Sequence, residues 1–265
     1  MNRIDAVFRK LKQRGEKALI PFITAGDPDL ETTQALALEM AAKGADLLEL
    51  GVPFSDPLAD GPTIQAASTR ALKCGVHLPD VLELAGKLRL KTDIPLILMG
   101  YYNPILQYGL ERTAKAAARL GVDGFIIPDL PLEEAGPWRR AALKERLAPI
   151  LLAAPTSGAA RIKTMGRLTR GFLYYVSVTG ITGARTELPP DLVAALKEVR
   201  SLVKCPLAVG FGISSPEQVK WLAPYVDGVV VGSAIVQRVA KLRGKELLLE
   251  VGDFIARLKE PLRGG

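Results

Sequence analysis

At 265 residues the chain is long enough for a single barrel-sized domain spanning 1–265, and no composition shift, low-complexity tract or Gly/Ser linker divides it. The net charge of +7 is spread over several helical patterns (Arg9, Lys10, Lys12 and Arg14 early, Arg139, Arg140, Lys144 and Arg146 later) with few interleaved aromatics, which reads as solvated helix faces and not as a nucleic-acid footprint. Two distant cysteines, Cys74 and Cys205, and one histidine, His77, leave no His/Cys metal site, and no apolar run of about 18 residues or charged-then-apolar start points to a membrane span or signal peptide, so a cytoplasmic, metal-free protein is expected.

The chain opens on an amphipathic helix, in which Ile4, Val7, Phe8 and Leu11 follow the i, i+3, i+4, i+7 stripe. Eight short apolar runs then alternate with helical patterns: Leu19–Thr24, Leu47–Val52, Leu96–Tyr101, Gly124–Pro128, Ile150–Ala154, Phe172–Val178, Leu207–Gly212 and Gly228–Ser233. Between them lie Leu30–Lys43, Pro79–Leu90, Leu110–Leu120, Glu133–Leu147, Ala159–Leu168, Pro190–Val203 and Pro216–Tyr225. Eight strand–helix units in one chain predict an α/β protein, a (β/α)8 TIM barrel with an additional N-terminal helix. An open doubly wound sheet is disfavoured because Thr24-Ala25-Gly26-Asp27-Pro28 after the first run lacks the glycine pattern of a dinucleotide site.

Active sites of such barrels lie at the C-terminal ends of the strands. The polar residues there are Thr24 and Asp27, Glu49 to Asp60, Tyr101 to Asn103, Asp129, Thr156 with Ser157, and Thr179 to Thr186. The seventh and eighth runs end in Gly210-Phe211-Gly212-Ile213-Ser214 and Gly232-Ser233-Ala234. Glycines let backbone amides approach an anion, and a following helix adds its N-terminal partial charge, so this pair of loops predicts a site for a phosphate monoester. Thr179-Gly180-Ile181-Thr182-Gly183 is placed to add an amide and a hydroxyl.

The second run, Asp46-Leu47-Leu48-Glu49-Leu50-Gly51-Val52, is a buried strand carrying one carboxylate in its second half. A buried Glu needs a partner, a shifted pKa or a chemical task. Asp60 stands in the Pro/Gly-rich loop that follows. Taken alone, Glu49 fits a structural ion pair as well as an acid–base group, and Asp60 before Gly61 fits a turn.

The segment Leu48–Gly61 resembles the signature of the tryptophan synthase alpha chain family. Pro21–Pro28, Leu98–Pro104, Pro128–Pro131, Ser177–Gly183 and Gly210–Ser214 match the same family in the same order, over almost the whole chain. The resemblance implies reversible retro-aldol cleavage of indole-3-glycerol phosphate to indole and glyceraldehyde 3-phosphate, with Glu49 as general acid and base and Asp60 stabilising the indole N–H. It also implies an indole pocket lined by Phe22 and Leu152, with Tyr174 packed on the substrate. Gly183, Phe211, Gly212, Gly232 and Ser233 would hold the phosphate, and Thr182 would close its loop onto Asp60. For Leu152 ordinary barrel core remains an equal reading.

A partner follows from the same resemblance: a beta chain in an α2β2 complex, contacted through Pro53, Asp56, Pro57 and Asn103. Pyridoxal phosphate belongs to that partner, and no cofactor is expected in this chain. Two alternatives stay open at this point, a stand-alone indole-releasing lyase of the same family and a phosphate-binding barrel acting mainly as a regulatory partner. A Schiff-base aldolase needs an interior lysine, and none of the eight apolar runs contains one.

Overall fold

A computed structural model describes residues 2–176, 190–210 and 212–264. Eight parallel strands close on themselves in chain order: β1 (Ala18–Thr24), β2 (Leu48–Gly51), β3 (Leu96–Met99), β4 (Gly124–Ile126), β5 (Ala148–Ala153), β6 (Leu173–Val176), β7 (Leu207–Gly210) and β8 (Gly228–Val231). β1 completes the ring by pairing with β8, Ala18 to Pro21 lying opposite Gly228 to Val231. This is the TIM barrel that the alternation predicts.

Two apolar layers follow from the strands' period of two. Side chains such as Ile20, Leu47, Ile97, Ile126, Ile150 and Ala208 fill the barrel interior. Their neighbours Leu19, Leu48, Leu50, Leu96, Leu98 and Val209 pack outward against the surrounding helices. Both faces of these strands are therefore buried, which is why they read as continuous apolar runs.

The N-terminal helix, Arg3–Arg14, is capped by the Asn2 side chain, which accepts from the Ile4 amide at 2.9 Å, and ends at Gly15 in the left-handed region. Ile4, Phe8 and Leu11 are buried and belong to the interior cluster, not the outer one. Phe8 lies 5.6 Å from Phe172, centroid to centroid. The helix thus seals the floor of the barrel, the end at which the strands begin.

The floor carries a repeated polar device. Asp46, Asp123 and Asp227, each just before a strand, accept the amides of Leu19, Leu96 and Leu207 on the neighbouring strand at 2.8, 2.9 and 2.9 Å. Each carboxylate also meets a cation, Lys259, Arg89 and Arg200 respectively, at 2.8 to 2.9 Å. These amides near the strand starts would otherwise lack a partner at the edge of the core.

Most expected helices form within a residue or two of their predicted bounds, as Leu30–Ala42, Leu78–Arg89, Leu110–Arg119, Ala159–Leu168 and Pro190–Leu202. The stretch Glu133–Leu147 is helical only over Gly136–Lys144. Pro131 to Glu134 form a turn first, and Arg146 adopts φ of 60°, which ends the helix. Helices Pro62–Lys73, Tyr102–Tyr108, Ser233–Lys241 and Gly244–Lys259 add to the predicted set.

Candidate active site

Glu49 is the second of the four residues of β2, paired in register with Phe22 on β1 and Ile97 on β3. Two residues on from interior-facing Leu47, it points into the barrel. It is 1 % exposed, and its Oε2 has no hydrogen-bond partner among the described residues. Burial pushes its carboxyl up to about 8, with the negative charge of Asp60 adding to the rise. A carboxyl in this setting is protonated at neutral pH and has a lone pair or proton to offer inward.

Asp60 comes to the same place from the loop between β2 and helix Pro62–Lys73. Burial raises its carboxyl to about 6, and the hydrogen bond from Tyr101 opposes that rise. The Tyr101 hydroxyl donates to Asp60 Oδ2 at 3.0 Å, while the Ala59 amide donates to the same hydroxyl at 3.0 Å. Gln65 Nε2 holds the Asp60 carbonyl at 2.8 Å. Two neighbouring acids thus differ in ionisation near neutrality, one protonated and one charged. Such a separation is what acid–base chemistry at neutral pH requires.

Phe22, Leu152 and Tyr174, expected beside the substrate, lie on β1, β5 and β6. Phe22 is buried and reaches Gly51, where an added Cβ would come within 2.5 Å of the ring's Cζ. Ile64 and Ala67 of helix Pro62–Lys73 and Val236 of helix Ser233–Lys241 pack on Phe22 from outside, so two helices hold the ring in place. Leu152 and Tyr174 sit opposite each other on β5 and β6. Tyr174 is pushed well above its ordinary range, first by burial, then by the charges of Glu49 and Asp60, so it faces both acids. Thr24, at the end of β1, is buried with its Oγ1 unpartnered among the described residues.

Glycines end β7 and β8 as expected. Gly212 has φ of +73°, a conformation that a side chain disfavours. Gly232 precedes helix Ser233–Lys241, and its carbonyl accepts from Ile235 and Val236 at 2.8 and 3.0 Å. The first amides of that helix, those of Ser233 and Ala234, have no acceptor within the helix and suit an anion. Thr182, Gly183 and Phe211 lie outside the described residues.

The residues expected at a partner surface divide. Asp56 and Asn103 are exposed and Pro57 half-buried, whereas Pro53 is buried within the chain. Leu58 is 92 % and Leu106 47 % exposed beside them, so the mouth loops do present apolar surface.

Two other predicted mouth residues are used for construction. Asp27 is gripped by Arg70 Nε and Nη2 at 2.8 and 2.7 Å, which ties the β1 loop to helix Pro62–Lys73. Asp129 Oδ1 accepts the Tyr102 amide at 2.9 Å and caps helix Tyr102–Tyr108. The buried Lys259 is held at the floor by Asp46, Glu16 and the Lys17 carbonyl, far from the role of a Schiff-base lysine at the mouth. Among the described residues no group of three or more His, Cys, Asp or Glu side chains is arranged to hold a metal.

The sequence itself, compared with known families over its whole length, matches one of them. The sequence model of the tryptophan synthase alpha chain covers residues 8–259. The chain belongs to the tryptophan synthase alpha chain family.

Among relatives, the chain is 54 % identical to the tryptophan synthase alpha chain of Citrifermentans bemidjiense over 265 residues, covering all of this chain and 99 % of that one. It is 51 % identical to that of Thermoanaerobacter sp. over 263 residues, 99 % of this chain and all of the other. Among solved structures, tryptophan synthase subunit alpha from Legionella pneumophila superposes with a TM-score of 0.91 at 41 % identity, covering 99 % and 98 % of the two chains. A chain of the tryptophan synthase α2β2 complex of Pyrococcus furiosus superposes with a TM-score of 0.86 at 38 % identity, covering 92 % of this chain and 98 % of that one.

Sequence reasoning placed Tyr101 in the polar ring but gave it no role, because its bond to Asp60 spans 41 residues and leaves no local pattern. No helix among the described residues is long and apolar enough to cross a membrane.

Proposed function

We propose that in this chain Glu49 and Asp60 carry the reaction of its family, the reversible cleavage of indole-3-glycerol phosphate to indole and glyceraldehyde 3-phosphate. The observation that supports this most strongly is the pairing of a carboxyl raised to about 8 with one near 6, on different elements, in the same barrel mouth. Protonated Glu49 delivers its proton to indole C3, which turns the ring into an electron sink. The charge then developing at the indole nitrogen is met by ionised Asp60, which accepts the N–H hydrogen bond.

Glu49, now a carboxylate, takes the proton of the glycerol hydroxyl on the carbon bonded to C3. That carbon–carbon bond breaks, its electrons return to the ring, and the hydroxyl carbon becomes the aldehyde. One proton leaves Glu49 and one returns, so the enzyme ends as it began. Phe22, Leu152 and Tyr174 flank the indole, and amides near Gly212, Gly232 and Ser233 hold the phosphate. Gly183, Phe211 and Thr182 belong to the same reading through the family signature.

The partner is a tryptophan synthase beta chain in an α2β2 complex, supported by the family and by the exposed Asp56, Leu58, Asn103 and Leu106 of the mouth loops. Pyridoxal phosphate is that partner's cofactor. A cytoplasmic location is part of the reading and is supported by two free thiols, Cys74 and Cys205.

The test is indole release from indole-3-glycerol phosphate, with and without added beta chain, by the parent, Glu49→Gln and Asp60→Asn proteins. Turnover should rise with the beta chain and fall by about two to three orders of magnitude in each variant. Activity indifferent to the beta chain would instead identify a stand-alone indole-releasing lyase. Folded protein without any turnover would leave only a phosphate-binding barrel.

A further inference from the structure

We propose that Tyr101 is the positioning residue of Asp60, fixing the direction of its carboxylate and tying it to the helix Tyr102–Tyr108. The proposal rests on the reading that Asp60 meets the indole N–H. A tyrosine hydroxyl has one proton to donate, and two observations fix where it goes. The Ala59 amide fills the acceptor side of the Tyr101 oxygen at 3.0 Å, and Asp60 Oδ2 lies 3.0 Å away on the other. The proton therefore points at the carboxylate, and one Asp60 oxygen is held while the other stays available for substrate.

The ring itself has little freedom. Tyr101 is 4 % exposed, and Phe54 stacks on it at 5.2 Å with 28° between planes. The loop leading into Asp60 is thereby linked to Tyr101 at two points, Ala59 through its amide and Phe54 through its ring. Tyr101 is also the residue from which helix Tyr102–Tyr108 starts, and Asp129 anchors that helix at its first amide. The helix buries Ile105 and presents Asn103 and Leu106 outward. A partner seated on that face would bear on the residue that aims Asp60.

The hydroxyl stabilises the charged form of Asp60, so its loss raises the pH needed to ionise that acid. In Tyr101→Phe the acidic limb of kcat/KM for indole-3-glycerol phosphate cleavage should move about one pH unit higher, so that activity falls about tenfold at pH 5.5 but less than twofold at pH 8. A role confined to packing would lower activity by one factor across the whole pH range. Incorporation of 3-fluorotyrosine at position 101 keeps the shape and strengthens the donor, and should move the same limb downward. It serves as the second probe should Tyr101→Phe fold poorly.

An unmoved limb with either substitution, in protein whose Asp60→Asn variant loses activity, overturns the proposal. Full activity in Asp60→Asn overturns the reading beneath it, and the two failures are distinct.

Discussion

The Tyr174 hydroxyl occupies the space that a side chain at position 210 would need: a Cβ on Gly210 would overlap it and would also lie 3.1 Å from Val230 Cβ. β6 and β7 are neighbours, with Val176 opposite Gly210, so the glycine is what lets the tyrosine lie across the barrel toward the acids. Gly210→Ala should therefore displace Tyr174 from the pocket. The expected cost is about 1–3 kcal/mol of stability with a larger loss in kcat. Urea unfolding beside indole-release kinetics checks both. Unchanged kinetics would mean that Tyr174 does not shape the substrate site.

Two acids with separated titrations predict a bell-shaped kcat/KM profile. The rising limb near pH 6 reports ionisation of Asp60, and the falling limb near pH 8 reports loss of the Glu49 proton. Because Asp60 repels the charged form of Glu49, Asp60→Asn should lower the falling limb in its residual activity. The rising limb itself should vanish in Asp60→Asn, because the acid that produces it is gone.

Glu49 makes stability depend on pH in a definite direction. Its folded carboxyl titrates near 8 against the ordinary 4.5 of an unfolded chain. Below pH 4.5 it is protonated in both states and costs nothing; between 4.5 and 8 only the unfolded chain releases the proton, and the native state loses ground as pH rises. Glu49→Gln should match the parent at pH 4 and be more stable at pH 8, by about 4 kcal/mol. Thermal melts at the two pH values test this, and an equal gain at both would refute it.

The floor helix should matter for stability and not for chemistry. Phe8 is buried against Phe172 at the end of the barrel opposite Glu49. Phe8→Ala should destabilise by about 3–5 kcal/mol. Below the lowered melting temperature kcat should stay within about twofold of the parent, since an exposed and a filled floor differ mainly in burial. A large drop in kcat in the folded variant would show that the floor and the mouth are coupled.

Much of the fold was legible because buried parallel strands write themselves as apolar runs, and eight such runs with helical stretches between them leave one closed architecture. Glu49 stood out as the one acid inside such a run. Asp60 was different: in isolation its position before Gly61 reads as a turn, and only the family signature singled it out. Contacts between distant loops left no trace. Nothing local marks Tyr101 as the partner of Asp60, Asp129 as the cap of a helix begun 27 residues earlier, or Arg70 as the clamp on Asp27. The same holds for the floor aspartates, whose acceptors are meaningful only once neighbouring strands are aligned. Pro53 shows the reverse limit, since a loop proline beside an exposed Asp56 gave no sign that it folds inward.

The stopper formed by Ile4, Phe8 and Leu11 gives the barrel the topology of a bottle. The open end is the neck, and there Asp56, Leu58, Asn103 and Leu106 lie. An uncharged, membrane-permeant product such as indole would be lost to its surroundings from an uncovered neck. Whatever sits on that rim therefore governs the fate of indole as well as the rate at which it forms, and a bottle with one opening needs only one seal.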